Sequence, residues 1–191
     1  MTPRYRTAFL DRDGTLNVKA PEGEYVTRPE DLRLLPGAAE AVRRLNQAGV
    51  FVVLVTNQRG IARGLLSLDA YARVMSRLAD DLAAGGAHLD AVYMCPHKAA
   101  SCGCRKPAPG LLLRAAREHP GIDLASAVTV GDAESDVLAG ARAGTRTIRL
   151  SGQPVTTRAD HLVPDLAAAV PLVLGGHRQV PVSSLPPASE G

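Results

Sequence analysis

Apolar and polar positions along this chain fall into alternating blocks. "YRTAFL" (Tyr5 to Leu10) is a short apolar run that ends abruptly at "DRDGT", the pattern of a buried strand that delivers acidic residues into a loop. After a polar stretch marked by Pro and Gly from Lys19 to Pro36, "GAAEAVRRLNQAG" puts Ala38, Ala41, Val42 and Leu45 on one helical face and stops at Gly49. "VFVVLV" (Val50 to Val55) is continuous apolar sequence, as in a strand covered on both faces. Ser67 to Ala84 reads as a helix with Ser67 as N-cap and Gly85-Gly86 as the stop. "LDAVYMC" predicts a third strand running into a cysteine-bearing loop, after which Pro109-Gly110 opens a helix over "LLLRAAREH". "AVTV" predicts a fourth strand ending in "GDAESD", followed by a short helix, "VLAGARAG", and a fifth strand, "TRTIRL". "DHLV" and "PDLAAAVPLVL" predict a last strand and helix, the helix interrupted or tilted at Pro171.

Strands that alternate with helices predict an α/β fold: a three-layer, doubly wound, mostly parallel sheet of Rossmann-like type with right-handed crossovers. Ligands of such sheets sit at the carboxyl ends of the strands. Asp11-Arg12-Asp13, Thr56-Asn57, the Cys/Lys loop and Gly131-Asp132 each follow a predicted strand directly and should converge on one rim. Residues 1–174 read as a single domain, and the Pro/Ser/Gly-rich stretch 175–191 as a disordered tail.

Composition narrows the reading. At 191 residues and 46% apolar the chain suits one core, and with 3% aromatics and no Trp that core is aliphatic. The net charge is +3, but Arg is scattered and Lys occurs only at positions 19, 98 and 106, so a nucleic-acid surface is disfavoured. No segment approaches the ~20 apolar residues of a membrane span and the N-terminus lacks a signal pattern, which predicts a soluble, cytoplasmic protein. The three cysteines all lie in "CPHKAASCGCRKP", from Cys95 to Pro107, and clustered thiols in that setting bind metal more often than they form disulfides.

Each strand-end cluster has a chemical and a plain reading. Asp11 and Asp13 offer a nucleophile or metal ligand beside a proton donor, or else only a polar turn. Thr56 and Asn57, in a loop whose Gly60 and Gly64 permit tight geometry, can hold a phosphoryl oxygen or cap a helix. Arg105 and Lys106 can neutralise an anion or form a solvated surface pair. Asp132 and Asp136 can complete a hard oxygen site for Mg²⁺, or N-cap the following helix. Cys95, His97, Cys102 and Cys104 make a Cys₃His set suited to tetrahedral Zn²⁺, although C-x-H and C-x-C are tighter than the usual finger spacing.

In this order the motifs "FLDRDGTLN", "VTNQRGIARG", "CRKP" and "VGDAESD" resemble the four ordered motifs of the haloacid dehalogenase superfamily of phosphohydrolases, from about Tyr5 to Leu174. The fuller pattern, including "CPH" and "CGCRKPAPG", is most similar to its heptose bisphosphate phosphatase branch, which is related to histidinol-phosphate phosphatases. The resemblance implies that Asp11 is the nucleophile that becomes an aspartyl-phosphate and that Asp13 is the acid, then the base. It implies Mg²⁺ on Asp11, the Asp13 backbone carbonyl and Asp132, and a structural Zn²⁺ on Cys95, His97, Cys102 and Cys104 that positions Arg105 and Lys106. Thr56 and Lys106 would hold the phosphoryl group, with Arg12, Asn57, Gln58, Arg59 and Arg105 as further substrate contacts and Tyr25 anchoring a first substrate loop.

The segments between motifs leave room for one helical unit and a loop each, so no cap domain is expected. The implied reaction is hydrolysis of the 7-phosphate of a heptose 1,7-bisphosphate, for nucleotide-activated heptose synthesis, with a small sugar phosphate as the partner and a monomer as the default. Histidinol phosphate or another small monoester is the enzymatic alternative, and a zinc-stabilised binding module the alternative from a different class.

Overall fold

A computed structural model describes residues 2–98 and 100–176, so all but the first two residues of the disordered tail expected at 175–191 lie outside the described residues. Six strands form one sheet: β1 (Thr7–Leu10), β2 (Phe51–Asn57), β3 (Ala91–Cys95), β4 (Ala127–Gly131), β5 (Arg146–Leu150) and β6 (His161–Val163). Their order is β3-β2-β1-β4-β5-β6, and every neighbouring pair is parallel. The helices are α1 (Ala38–Gln47), α2 (Arg59–Ala62), α3 (Leu68–Ala84), α4 (Gly110–Glu118), α5 (Glu134–Ala143) and α6 (Leu166–Leu174).

The period of two along the central strands divides the core between two faces. Leu10, Leu54, Val130 and Ile148 meet Val42 and Leu45 of α1, Val74 and Leu78 of α3, and Val170 and Val173 of α6. Phe9, Val53 and Val55 meet Leu111, Leu112 and Ala115 of α4 and Ala139 and Ala143 of α5. Each fully buried aliphatic side chain contributes about 1.5–3 kcal/mol, so these two layers hold the strands, and with them the strand ends, in fixed positions. Among the described residues, no helix is long and apolar enough to cross a membrane.

The sequence expectations match the elements closely. Ala38, Ala41, Val42 and Leu45 form the buried face of α1, and the Ser67 side chain accepts a hydrogen bond from the Ala70 amide at 3.0 Å. Of the interruption or tilt expected at Pro171, the interruption is corrected: α6 runs continuously through it. The proline removes one donor, but Leu166, Ala169, Val170 and Val173 bury that helix against the sheet, and the Pro171 carbonyl still accepts from Gly176. The four-residue α2 was not foreseen, because one turn carries too little periodicity to read.

Candidate active site

The loop after β1 winds tightly on itself. The Arg12 carbonyl accepts from the amides of Thr15, Leu16 and Asn17, and the Gly14 amide donates to the Asn17 carbonyl at 2.7 Å. Gly14 has φ +87°, and a Cβ there would lie 2.5 Å from Asp132 Oδ2. Glycine therefore does two things at that position, allowing the left-handed turn and letting the loop lie against the end of β4. The Asp11 amide donates to the Val130 carbonyl, which fixes the first carboxylate at the same rim.

Lys106 reaches into this rim from the loop after β3. Its ammonium lies 2.6 Å from Asp11 Oδ1 and 2.6 Å from Asp136 Oδ1, with its side chain 2% exposed, and it donates to the Val55 carbonyl at 2.7 Å. Burial works against the Lys106 charge, but Asp11 and Asp136 outweigh it and hold its pKa above the ordinary lysine value. Burial pushes the Asp11 carboxyl up to about 7; Lys106 pulls it back, while Asp136 and Asp13 add to the rise. The direction follows from burial first, and the crowding of several carboxylates around a single ammonium adds to it.

Asn57 and Asp136 fix that lysine. The Asn57 side chain accepts from the Lys106 amide at 3.1 Å and donates to the Lys106 carbonyl at 3.0 Å, clamping the backbone at the residue that reaches into the rim. Asp136 accepts from the Ala133 amide at 3.0 Å with its other oxygen, so it caps α5 and pairs with Lys106 at once. Of the two readings of this residue in the sequence, the structure shows the helix cap; its spacing in G-D-x-x-x-D was visible, its lysine partner was not.

Asp13 is held from three sides. Arg12 donates to Asp13 Oδ1 through Nε at 3.2 Å and Nη2 at 2.9 Å, Asn17 Nδ2 donates to the same oxygen at 3.0 Å, and Gln58 Nε2 donates to Oδ2 at 3.0 Å. Gln58 also donates to Thr56 Oγ1 at 2.8 Å. Arg12, Gln58 and Asn57 were expected to contact substrate; the structure engages Arg12 and Gln58, each 1% exposed, on Asp13, and Asn57 on Lys106. Of the three, Arg12 and Asn57 still border the cleft, whereas Gln58 is spent on Asp13 and Thr56.

Arg59 and Arg105 do border the cleft, a cavity of about 570 Å³ that also exposes Asp11, Asp13, Tyr25 and Asp132. Arg59 Nε donates to the Tyr25 hydroxyl at 3.2 Å, and hydrogen bonds from Arg59 and Arg63 lower the Tyr25 pKa despite some burial. The Tyr25 ring covers Gly60, where a Cβ would lie 3.0 Å from it, so Gly60 serves close approach. One guanidinium nitrogen of Arg105, Nη1, is buried with no partner among the described residues. Lys19, which the sequence did not single out, pairs with Asp132 Oδ2 at 2.9 Å across the rim.

Asp11, Asp132 and Asp136 bring carboxylate oxygens within 4.8 Å of one another. Asp136 is satisfied by Lys106 and Ala133, whereas Asp132 Oδ1 is buried without a partner among the described residues. An orphaned carboxylate oxygen beside a crowded, proton-holding Asp11 is what a hard divalent cation such as Mg²⁺ satisfies.

The second cluster lies beyond the end of β3. Cys95 Sγ is 3.6 Å from Cys102 Sγ and 3.3 Å from Cys104 Sγ, Cys104 is 3.3 Å from Cys102, and His97 Nδ1 is 3.6 Å from Cys95 and 3.2 Å from Cys104. Zn–S bonds of about 2.3 Å and Zn–N bonds of about 2.0 Å give tetrahedral edges of roughly 3.5–3.8 Å, close to this set. Burial and its two thiol neighbours push Cys104 up to about 12; burial also works against Cys102, but hydrogen bonds from Cys104 and from backbone amides bring it down to about 6. Three thiols this close cannot ionise together without a cation among them.

Comparisons with known proteins agree with this geometry. A HAD-hyrolase-like family model matches residues 103–169. The chain is 39% identical over 161 residues to the D-glycero-beta-D-manno-heptose-1,7-bisphosphate 7-phosphatase of Rhodopseudomonas palustris, covering 80% of this chain and 87% of that one. It is 42% identical over 184 residues to the corresponding enzyme of Thermosynechococcus vestitus, covering 85% and 92%. The crystal structure of the B. bronchiseptica D,D-heptose 1,7-bisphosphate phosphatase, complexed with magnesium and phosphate, superposes with a TM-score of 0.80 at 35% identity, covering 90% of this chain and 99% of that one. The chain, a phosphoric monoester hydrolase, belongs to the D-glycero-D-manno-heptose-1,7-bisphosphate 7-phosphatase family of HAD-like phosphatases.

Proposed function

We propose that this phosphatase removes the 7-phosphate of D-glycero-D-manno-heptose 1,7-bisphosphate, giving heptose 1-phosphate and orthophosphate through an aspartyl-phosphate on Asp11. The observation that carries this reading is the convergence of Asp11, Asp13, Lys106 and Asp132, from three strand ends, at one cleft of about 570 Å³, with Thr56 buried beside them and joined to Asp13 through Gln58. The names of the relatives supply the substrate.

Asp11 attacks phosphorus in line with the sugar oxygen. The P–O bond to C7 breaks as Asp13 gives its proton to that oxygen, and the heptose 1-phosphate leaves. Asp13, now a carboxylate, takes a proton from the water that attacks the aspartyl-phosphate, which releases orthophosphate and returns both residues to their starting forms. Thr56 accepts from Gln58 at 2.8 Å, so its own hydroxyl hydrogen is free to donate to a phosphoryl oxygen. Lys106 balances the charge of Asp11 and of the equatorial oxygens, and Arg59 and Arg105 line the side where the rest of the substrate lies.

Asp11, Asp132 and the Asp13 backbone carbonyl would hold Mg²⁺, which supplies Lewis-acid neutralisation of the phosphoryl group and the attacking carboxylate. Cys95, His97, Cys102 and Cys104 would hold Zn²⁺ in a structural role, since four protein ligands leave no open position. Residues 1–174 would act as one capless unit. In support, all six strands share one sheet, and the stretches between β1 and α1 and between β2 and α3 hold only a short 3₁₀ turn and the four-residue α2.

Phosphate release across a panel tests the substrate: both anomers of the heptose bisphosphate, fructose bisphosphate, histidinol phosphate and 3′-phosphorylated DNA. The highest kcat/KM is expected for a heptose bisphosphate. A higher value for histidinol phosphate would overturn the substrate assignment.

A further inference from the structure

We infer that Arg12, Asn17 and Gln58 are positioning residues that lock the carboxyl of Asp13 so that one oxygen, Oδ2, carries the proton to the leaving group. The inference rests on the reading of Asp13 as the acid. A carboxylate offers about four lone-pair directions, two on each oxygen. Oδ1 already receives three N–H groups, two from Arg12 and one from Asn17, and has no room for a proton. Oδ2 receives only Gln58, at 3.0 Å, which leaves it one free direction. The Asp13 side chain is 24% exposed and borders the cleft, while Arg12 behind it is 1% exposed, so the free direction belongs to the cleft side.

The holder is itself fixed. Asp13 is the only anionic partner of Arg12 among the described ion pairs, and Arg12 Nη1 otherwise reaches only Met75 Sδ at 4.0 Å on α3. Tyr71, one turn earlier on α3, is also buried beside this pair; burial pushes its phenol up to about 12, so it remains neutral. Gln58 uses both hydrogens of its amide, one on Asp13 Oδ2 and one on Thr56 Oγ1. It therefore sets the spacing between the group that protonates the leaving oxygen and the hydroxyl that holds the phosphoryl oxygen, the separation that in-line transfer to a sugar alkoxide requires.

The test separates positioning of the acid from general damage through the leaving group. A primary sugar phosphate that the wild type turns over needs protonation of an alkoxide, whereas 4-nitrophenyl phosphate releases a stable phenolate without it. Steady-state kinetics with 10 mM Mg²⁺, a working concentration of about that order, would be measured on the wild type, Asp13→Asn, Arg12→Lys, Asn17→Ala and Gln58→Met. The last keeps its volume in case the Arg12 variant does not fold. Asp13→Asn should lower kcat/KM for the sugar phosphate by about 10²–10⁴-fold and that for the aryl phosphate far less. Arg12→Lys and Gln58→Met should reproduce that selectivity at about tenfold, through kcat with KM little changed. Equal losses on both substrates, or changes confined to KM, would overturn the positioning inference while leaving Asp13 as the acid; no selectivity in Asp13→Asn would overturn the acid assignment itself.

Discussion

In the loop after β1, Asp11 to Asn17, the turn is held by backbone amides converging on the Arg12 carbonyl and by a glycine that fits against Asp132. In the loop after β3, Cys95 to Pro107, only Cys95 and Lys106 are buried among the described residues, and three sulfurs and an imidazole nitrogen gather where a core would otherwise be. Both loops deliver a charged group to the same cleft. The first lies in the middle of the sheet, where β1 is flanked by β2 and β4 and the backbone can be tied on both sides. The second hangs from the edge strand β3, which has a neighbour on one side only and cannot supply that restraint. In place of the missing neighbour, Cys95, His97, Cys102 and Cys104 gather beside the loop, and Asn57 clamps Lys106 from β2.

The contrast can be broken most severely at the centre. Asp11→Asn should reduce phosphate release by roughly 10⁴-fold or more, with the fold intact by circular dichroism, because it removes the attacking group itself. Lys106→Met should cost about 10²–10³-fold in kcat/KM, and it should also destabilise the protein by roughly 3–5 kcal/mol in denaturant melts, since Asp11 and Asp136 lose their shared buried cation. Equal stability of this variant and the wild type would mean the buried pairs are worth little.

Removing zinc tests the edge loop alone. Chelation, or Cys102→Ser, should lower activity by about 10²-fold through misplacement of Lys106, and hydrogen exchange should rise across residues 95–107 while the Phe51–Asn57 strand stays protected. Fully active protein that metal analysis shows to be free of zinc would sink the structural-zinc reading. The smallest effect distinguishes the central loop by pH. The Asp11 carboxyl is raised to about 7, so below that pH a proton competes with Mg²⁺ for it. Apparent Mg²⁺ affinity should then fall by up to tenfold for each pH unit below 7 and level off above, measurable by calorimetric titration; a flat profile between pH 5 and 8 would contradict it.

Much of this architecture was legible because it is written locally. The apolar runs at Val50 to Val55 and Ala127 to Val130, and the helical face Ala38, Ala41, Val42 and Leu45, encode burial directly in their periods. The strand-end rule then placed Asp11, Thr56, Lys106 and Asp132 at one rim before any contact was known. Pro171 misled because a single missing donor is a local signal, while the burial that carries α6 past it comes from α1 and the sheet.

The roles of Arg12, Asn57, Gln58 and Asp136 were of another kind. Each is a polar side chain whose residue type admits several partners, and choosing among them takes ångström-scale distances between loops 45 or 49 residues apart in the chain, as for Gln58 with Asp13 and Asn57 with Lys106. The sequence by itself determined the order of strands and helices and the residues delivered to the rim, since periodicity and strand ends are properties of neighbouring positions. Only the tertiary structure decided which of those residues face the cleft and which hold others in place, because a buried donor must take whichever acceptor the packed fold puts within reach.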